Sequence, residues 1–168
     1  QINIIDKQKD NIEIKKTIEN NYKIDLNILE NELKKYNNDN KIIILNNPSN
    51  PTGLCYDDNE IEKIAELLKK YNCIVLADEI YKNLVYSGKR KSISEFIPEL
   101  TIRASSVSKD LASGGYRLGW LTFPKELNLF YSKCRSYSSS IYSCSSVPMQ
   151  YALADFISNN EILHKGHW

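Results

Sequence analysis

Ser105-Ser106-Val107-Ser108-Lys109-Asp110-Leu111-Ala112-Ser113-Gly114-Gly115-Tyr116-Arg117-Leu118-Gly119-Trp120 sets a single lysine among small hydroxylated residues. A Ser-Gly-Gly follows, then an arginine eight positions after the lysine (117 − 109) and an apolar run. Serines and an arginine can hold a phosphate. A lysine amine can condense with a carbonyl. Taken alone, the segment reads equally well as a surface turn with a solvated lysine, because short motifs recur by chance.

Two more segments add to it. Asn46-Asn47-Pro48-Ser49-Asn50-Pro51-Thr52-Gly53 follows the apolar run Lys41 to Leu45, and Asp78-Glu79-Ile80-Tyr81 follows Cys73 to Ala77. A strand-end NP-x-NPTG, a strand-end D-x-x-Y and an S-x-S-K followed by G-x-R-x-G, in that order, resemble the class I/II aminotransferases. These are pyridoxal-phosphate (PLP) enzymes of the aspartate aminotransferase fold. The resemblance runs from about Ile2 to Ile157 and matches the middle of a usual family member.

The resemblance implies a role for each matching residue. Lys109 is the Schiff-base lysine and catalytic base. Asp78 faces the pyridine nitrogen and keeps it protonated, so that the ring takes up carbanion electrons. Asn50 and Tyr81 donate hydrogen bonds to the phenolate oxygen of the ring. Ser106 and Arg117, with Ser108 as a further candidate, bind the phosphate, the arginine by a bidentate charge-assisted pair. Read from the residues alone, Asn50 is also a turn residue, Asp78 a strand-ending or capping aspartate, and Tyr81 one of 11 tyrosines. Glu79 should point to the opposite side of the backbone from Asp78 and serve the structure.

The remainder of the chain agrees with an α/β fold. Asp25 can cap a helix whose apolar positions are Leu26, Leu29, Leu33 and Tyr36. Lys41 to Leu45 reads as a strand covered on both faces. Asp57 and Glu60 have capping-box spacing ahead of the stripe Ile61, Ile64, Ala65, Leu68 and Tyr71, and the strand Cys73 to Ala77 completes a βαβ unit. We expect a short extended piece over Tyr81–Ser87, one helical turn over Ser92–Ile97 ended by Pro98, and strands at Ile2–Ile5, Thr101–Ser105 and Arg117–Phe123. Helices are expected after Pro124, through Leu127, Phe130, Tyr131 and Cys134, and over Val147–Ile157. The tail from Asn159 to Trp168 has no decipherable pattern. In such a sheet a ligand lies beyond the carboxyl ends of the strands, the edge at which Asn50, Asp78 and Lys109 all fall.

At 168 residues one domain is the prior, and 42% hydrophobic with 26% charged residues is ordinary globular composition. A net charge of +1 gives no electrostatic reason for nucleic acid or a membrane surface. No apolar run approaches the length of a membrane span and no signal peptide opens the chain, so the expected location is cytoplasmic. Cys55, Cys73, Cys134 and Cys144 form no Cys-x-x-Cys pair and are expected as free thiols without a metal, Cys73 as a small core residue.

By resemblance, the family also has an upstream Gly-rich turn with an aromatic residue that stacks on the ring. It further has a tyrosine from the partner subunit of a homodimer, and a C-terminal small domain whose arginine grips the substrate carboxylate. We expect residues 1–168 to form part of the PLP-binding large domain, a mostly parallel sheet in a three-layer sandwich, with those further parts absent from this chain. The expected function is amino-group transfer between an amino acid and a 2-oxo acid through a lysine Schiff base. A β-eliminating C–S lyase of the same fold passes through the same carbanion and stays open, as does a non-catalytic module used for association.

Overall fold

The computed structural model describes residues 14, 18–86, 88 and 90–159. The expected strand Ile2–Ile5 and the tail beyond Asn159 lie outside them.

Helix α1, Leu26–Lys35, starts where Asp25 accepts from the backbone N–H of Asn27 and Ile28 (2.8 and 3.2 Å), and it buries Leu29 and Leu33. Strand β1, Lys41–Asn46, follows. Helix α2, Asp58–Lys70, opens on a complete capping box: Asp57 accepts from Glu60 N, and Glu60 reaches back to Asp57 N. Its buried stripe is Ile61, Ile64, Ala65 and Leu68, and strand β2, Cys73–Asp78, comes next. A 3-10 turn over Ile93–Glu95, capped by Ser92, and a second over Pro98–Leu100 lead into strand β3, Thr101–Ser106. Helix α3 is a single turn, Val107–Asp110; strand β4 is Gly119–Thr122; helices α4 and α5 are Asn128–Tyr142 and Val147–Asn159.

The sheet order is β1-β2-β3-β4, with β1, β2 and β3 parallel and β4 antiparallel to β3. The mostly parallel α/β sheet flanked by helices is the architecture expected. The core lies between the sheet and α1 and α2, where Leu45, Val75, Ala77 and Cys73 meet the α2 stripe and Tyr56, Ile93 and Ile97 close it. Neither α4 nor α5 buries a residue completely.

Three expectations change. Strand β1 is covered on one face only among the described residues: Leu45 is buried, while Ile42 and Ile44 are 53% and 70% exposed. A run of isoleucines satisfies strand propensity on both faces whether or not both are packed. Tyr81–Ser87 is not extended; Lys82 N bonds to Glu79 O and Leu84 N to Tyr81 O, making a 3-10 turn over Lys82–Leu84, with Ser87 outside the described residues. The last strand begins at Gly119 rather than Arg117, because Arg117 takes left-handed backbone angles (φ 56°) that cannot continue a ladder.

Candidate active site

The parallel register brings Asn46, Asp78 and Ala104 onto one rung at the carboxyl ends of β1, β2 and β3. Side chains alternate along a strand, so Asp78 and Glu79 go to opposite faces. Glu79 is buried. Its Oε2 accepts from Arg103 Nε at 2.9 Å, its Oε1 accepts from the Ser92 hydroxyl, and its backbone N–H donates to Ala104 O at 3.0 Å. The structural role expected for Glu79 is therefore a concrete one: it ties β2 to β3 directly beneath Asp78. Asp78 is half-buried on the other face, where its Oδ1 accepts from Ile80 N at 3.3 Å.

The loop after β1 is folded around asparagine side chains. Asn46 Oδ1 accepts from Asn50 N at 2.7 Å, and Asn46 Nδ2 donates to Asp78 O at 3.3 Å. Asn47 Oδ1 accepts from Tyr56 N at 3.1 Å, and Ser49 and Leu54 pair across the turn. Gly53 closes that turn at φ +69°, a conformation that favours glycine. Both Asn-Pro bonds, Asn47-Pro48 and Asn50-Pro51, are cis. With its backbone held, Asn50 points its amide at Tyr81, Nδ2 donating to the phenol oxygen at 3.3 Å. Tyr81 in turn lies under the lysine: Lys109 Nζ is 5.5 Å from the centroid of the Tyr81 ring.

Lys109 rides on α3. Ser106 caps this turn, its Oγ accepting from Ser108 N at 3.1 Å. The chain then doubles back so that Val107 N donates to Leu118 O at 3.2 Å and Ser106 pairs with Gly119, which brings Arg117 to the start of α3. Among the described residues the Arg117 guanidinium bonds to Gly114 O, at 3.0 Å, and to neither Ser106 nor Ser108. Gly119 suits this approach: a Cβ there would sit 3.1 Å from Ser105 O and 3.2 Å from Ser106 Cβ, so the neighbours would have to give way.

Three of the expected residues, Asn50, Tyr81 and Lys109, thus form one contiguous contact chain, and Asp78 joins it through Asn46. Ser106, Ser108 and Arg117 gather at the amino end of α3. Sequence reasoning did not single out Asn46, which fixes both the Asn50 loop and the end of β2. Its signal is positional, an asparagine on the last rung of a strand that pairs with the strand of Asp78.

The family model for aminotransferase class I and II matches residues 8–166. The chain belongs to the class I and II aminotransferases. An aspartate aminotransferase of Sulfurisphaera tokodaii is 37% identical over 140 residues, covering 82% of this chain and 34% of that protein. Human kynurenine–oxoglutarate transaminase 3 is 39% identical over 123 residues, covering 71% of this chain and 26% of that protein. Among solved structures, the aspartate aminotransferase of Thermus thermophilus with maleate superposes with a TM-score of 0.77 at 25% identity, over 93% of this chain and 39% of that one. The chain therefore spans about a third of the length of the aminotransferases it matches.

Proposed function

We propose that the protein containing this chain is a PLP-dependent aminotransferase that moves an amino group between an amino acid and a 2-oxo acid. On this reading, residues 1–168 are the centre of its larger, cofactor-binding domain, and the working form is a cytoplasmic homodimer. The observation that carries the reading is the unbroken sequence of Asn50 amide, Tyr81 phenol and Lys109 amine at the carboxyl edge of the parallel strands. A carboxylate, Asp78, ends the central strand of the same edge.

This donor set suits pyridoxal phosphate group by group. An amine meets its aldehyde, a carboxylate its ring nitrogen, an amide and a phenol its ring oxygen, and hydroxyls with a guanidinium its phosphate. When bound, the cofactor supplies an aldehyde that condenses with amines and a cationic ring that takes up electrons from the substrate α-carbon.

The chain's own residues do the rest. Lys109 would hold the cofactor aldehyde through its amine, and the same amine is the base that would move a proton at the substrate α-carbon. Asp78 would face the pyridine nitrogen and keep it protonated. Asn50 and Tyr81 would donate to the ring oxygen and spread its negative charge. Ser106, Ser108 and Arg117 would hold the phosphate, the Arg117 guanidinium standing on the Gly114 carbonyl in this structure.

Titrating the full-length protein with PLP tests the reading. An absorbance band between about 360 and 430 nm should appear, the range of a PLP–amine adduct, and be missing in Lys109→Ala. Transfer of the amino group to a 2-oxo acid should depend on the same lysine. Absence of the band in the unaltered protein refutes the proposal.

A further inference from the structure

Lys109 stands on a helix of one turn, and so short a helix has almost no stability of its own. Its direction depends on what ties it to its surroundings. Val107 is buried and anchors the start of the turn. At its end, Ala112 sits at a positive φ of 49°, and Ser113 leads into a 3-10 turn over Gly114–Tyr116 whose bonds are all local. The tie at that end is Asp110, the residue after the lysine: its Oδ2 accepts from Asn83 Nδ2 at 2.7 Å.

Asn83 belongs to the 3-10 turn Lys82–Leu84, which begins immediately after Tyr81. One side-chain hydrogen bond therefore joins the turn that carries the amine to the turn that carries the phenol. These are the two groups whose separation is 5.5 Å from Nζ to ring centroid. The other oxygen of Asp110, Oδ1, is buried without a partner among the described residues, and burial pushes the carboxyl above the ordinary aspartate range while the Asn83 bond draws it down.

We propose that Asn83 and Asp110 are positioning residues, a strap that holds the Lys109 amine over the Tyr81 ring and so fixes the geometry in which both groups meet the cofactor. The inference rests on the PLP reading for its functional meaning, but the geometric claim is measurable without cofactor.

The first arm uses cofactor-free full-length protein, with acylation of each lysine by acetic anhydride followed by mass spectrometry. Release of the strap frees the amine from the ring face, so Asn83→Ala should speed labelling at Lys109 about two- to fivefold, the worth of an exposed cation–π contact, and leave Lys63 unchanged. The second arm follows the pH midpoint of the PLP band. A weaker Tyr81 bond to the ring oxygen should raise that midpoint by about half a unit to one unit in Asn83→Ala. The exchange variant Asn83→Asp with Asp110→Asn rebuilds the bond with donor and acceptor reversed, and it should return both readouts to the parent values. A loss of fold stability alone does not behave this way.

Lys109 labelling unchanged in Asn83→Ala overturns the strap, whatever the band does. A band present in the parent with an unmoved midpoint in Asn83→Ala also overturns it. A parent without the band refutes the PLP reading instead, and the labelling arm still decides whether the strap holds the amine.

Discussion

Removal of the guanidinium from Arg103 tests the support beneath the candidate site. Glu79 is buried, and its two oxygens are satisfied by two groups, Ser92 and Arg103. In Arg103→Met the aliphatic stem remains to pack, but Oε2 loses its charged donor while Oε1 keeps the hydroxyl. A hydrogen bond to a charged group is worth about 1.5–3 kcal/mol, and Arg103 is a third exposed, so water recovers part of the loss. The expected cost is about 2 kcal/mol, or roughly 4–8 °C in thermal midpoint for a unit of this size. Glu79→Gln keeps an acceptor for Arg103 without the charge and should cost about 1 kcal/mol. Urea unfolding of the parent, both single variants and the double variant closes a cycle with a coupling of about 1 kcal/mol or more. If Arg103→Met lies within about 0.5 kcal/mol of the parent, or the two losses simply add, the pair does not bear on the junction of β2 and β3.

Other perturbations read out other parts of the fold. Burial pushes the Cys73 thiol up from 9.0 to about 11, so above pH 9 the unfolded chain gives up a proton that the folded chain keeps. The stabilisation is complete below pH 9 and is lost towards pH 11, by about 2–3 kcal/mol; the difference in urea midpoint between parent and Cys73→Ala across that window checks it. In the native protein an alkylating reagent should modify exposed Cys144 and spare Cys73, as mass spectrometry of the labelled chain will show. Gly119→Ala places a methyl against Ser105 O and Ser106 Cβ, and should cost about 1–3 kcal/mol and weaken PLP binding by displacing Ser106, measured by thermal shift and cofactor titration. Asp57→Ala breaks the α2 capping box and should cost about 1 kcal/mol by urea unfolding, with the PLP band unaffected.

Local signals made much of this fold legible. The cap at Asp25, the box from Asp57 to Glu60 and the helical stripe of α2 are each completed within a few residues of sequence, so tertiary context had little to override. The strands β1, β2 and β3 came from short apolar runs between turn residues. What the sequence could not show is decided by partners far along the chain. Whether Ile42 and Ile44 are covered depends on what packs on that face, not on the residues themselves. The late start of β4, at Gly119 rather than Arg117, follows from a left-handed residue that no propensity marks. The 3-10 turn after Tyr81 replaces an extended piece because Glu79, pinned by Arg103 and Ser92, offers its carbonyl to Lys82. The pairing of Asn83 with Asp110 joins residues 27 apart in sequence and leaves no local trace.

The candidate site rests on the period of two in a strand. Asp78 and Glu79 are neighbours of like charge and nearly like size, yet one lies at the open edge with Asn46 and the other is sealed under β3. A register slip of one residue in β2 would exchange them, presenting Glu79 to the crevice and burying Asp78. The slip is opposed by Cys73, Val75 and Ala77, which would all leave the core with it, and by Arg103 and Ser92, which would lose their carboxylate. The hydrophobic side of the strand therefore chooses which acid faces the ligand edge. Loosening the core under β2 should disturb the carboxylate at the site before it unfolds the sheet, because the same register serves both.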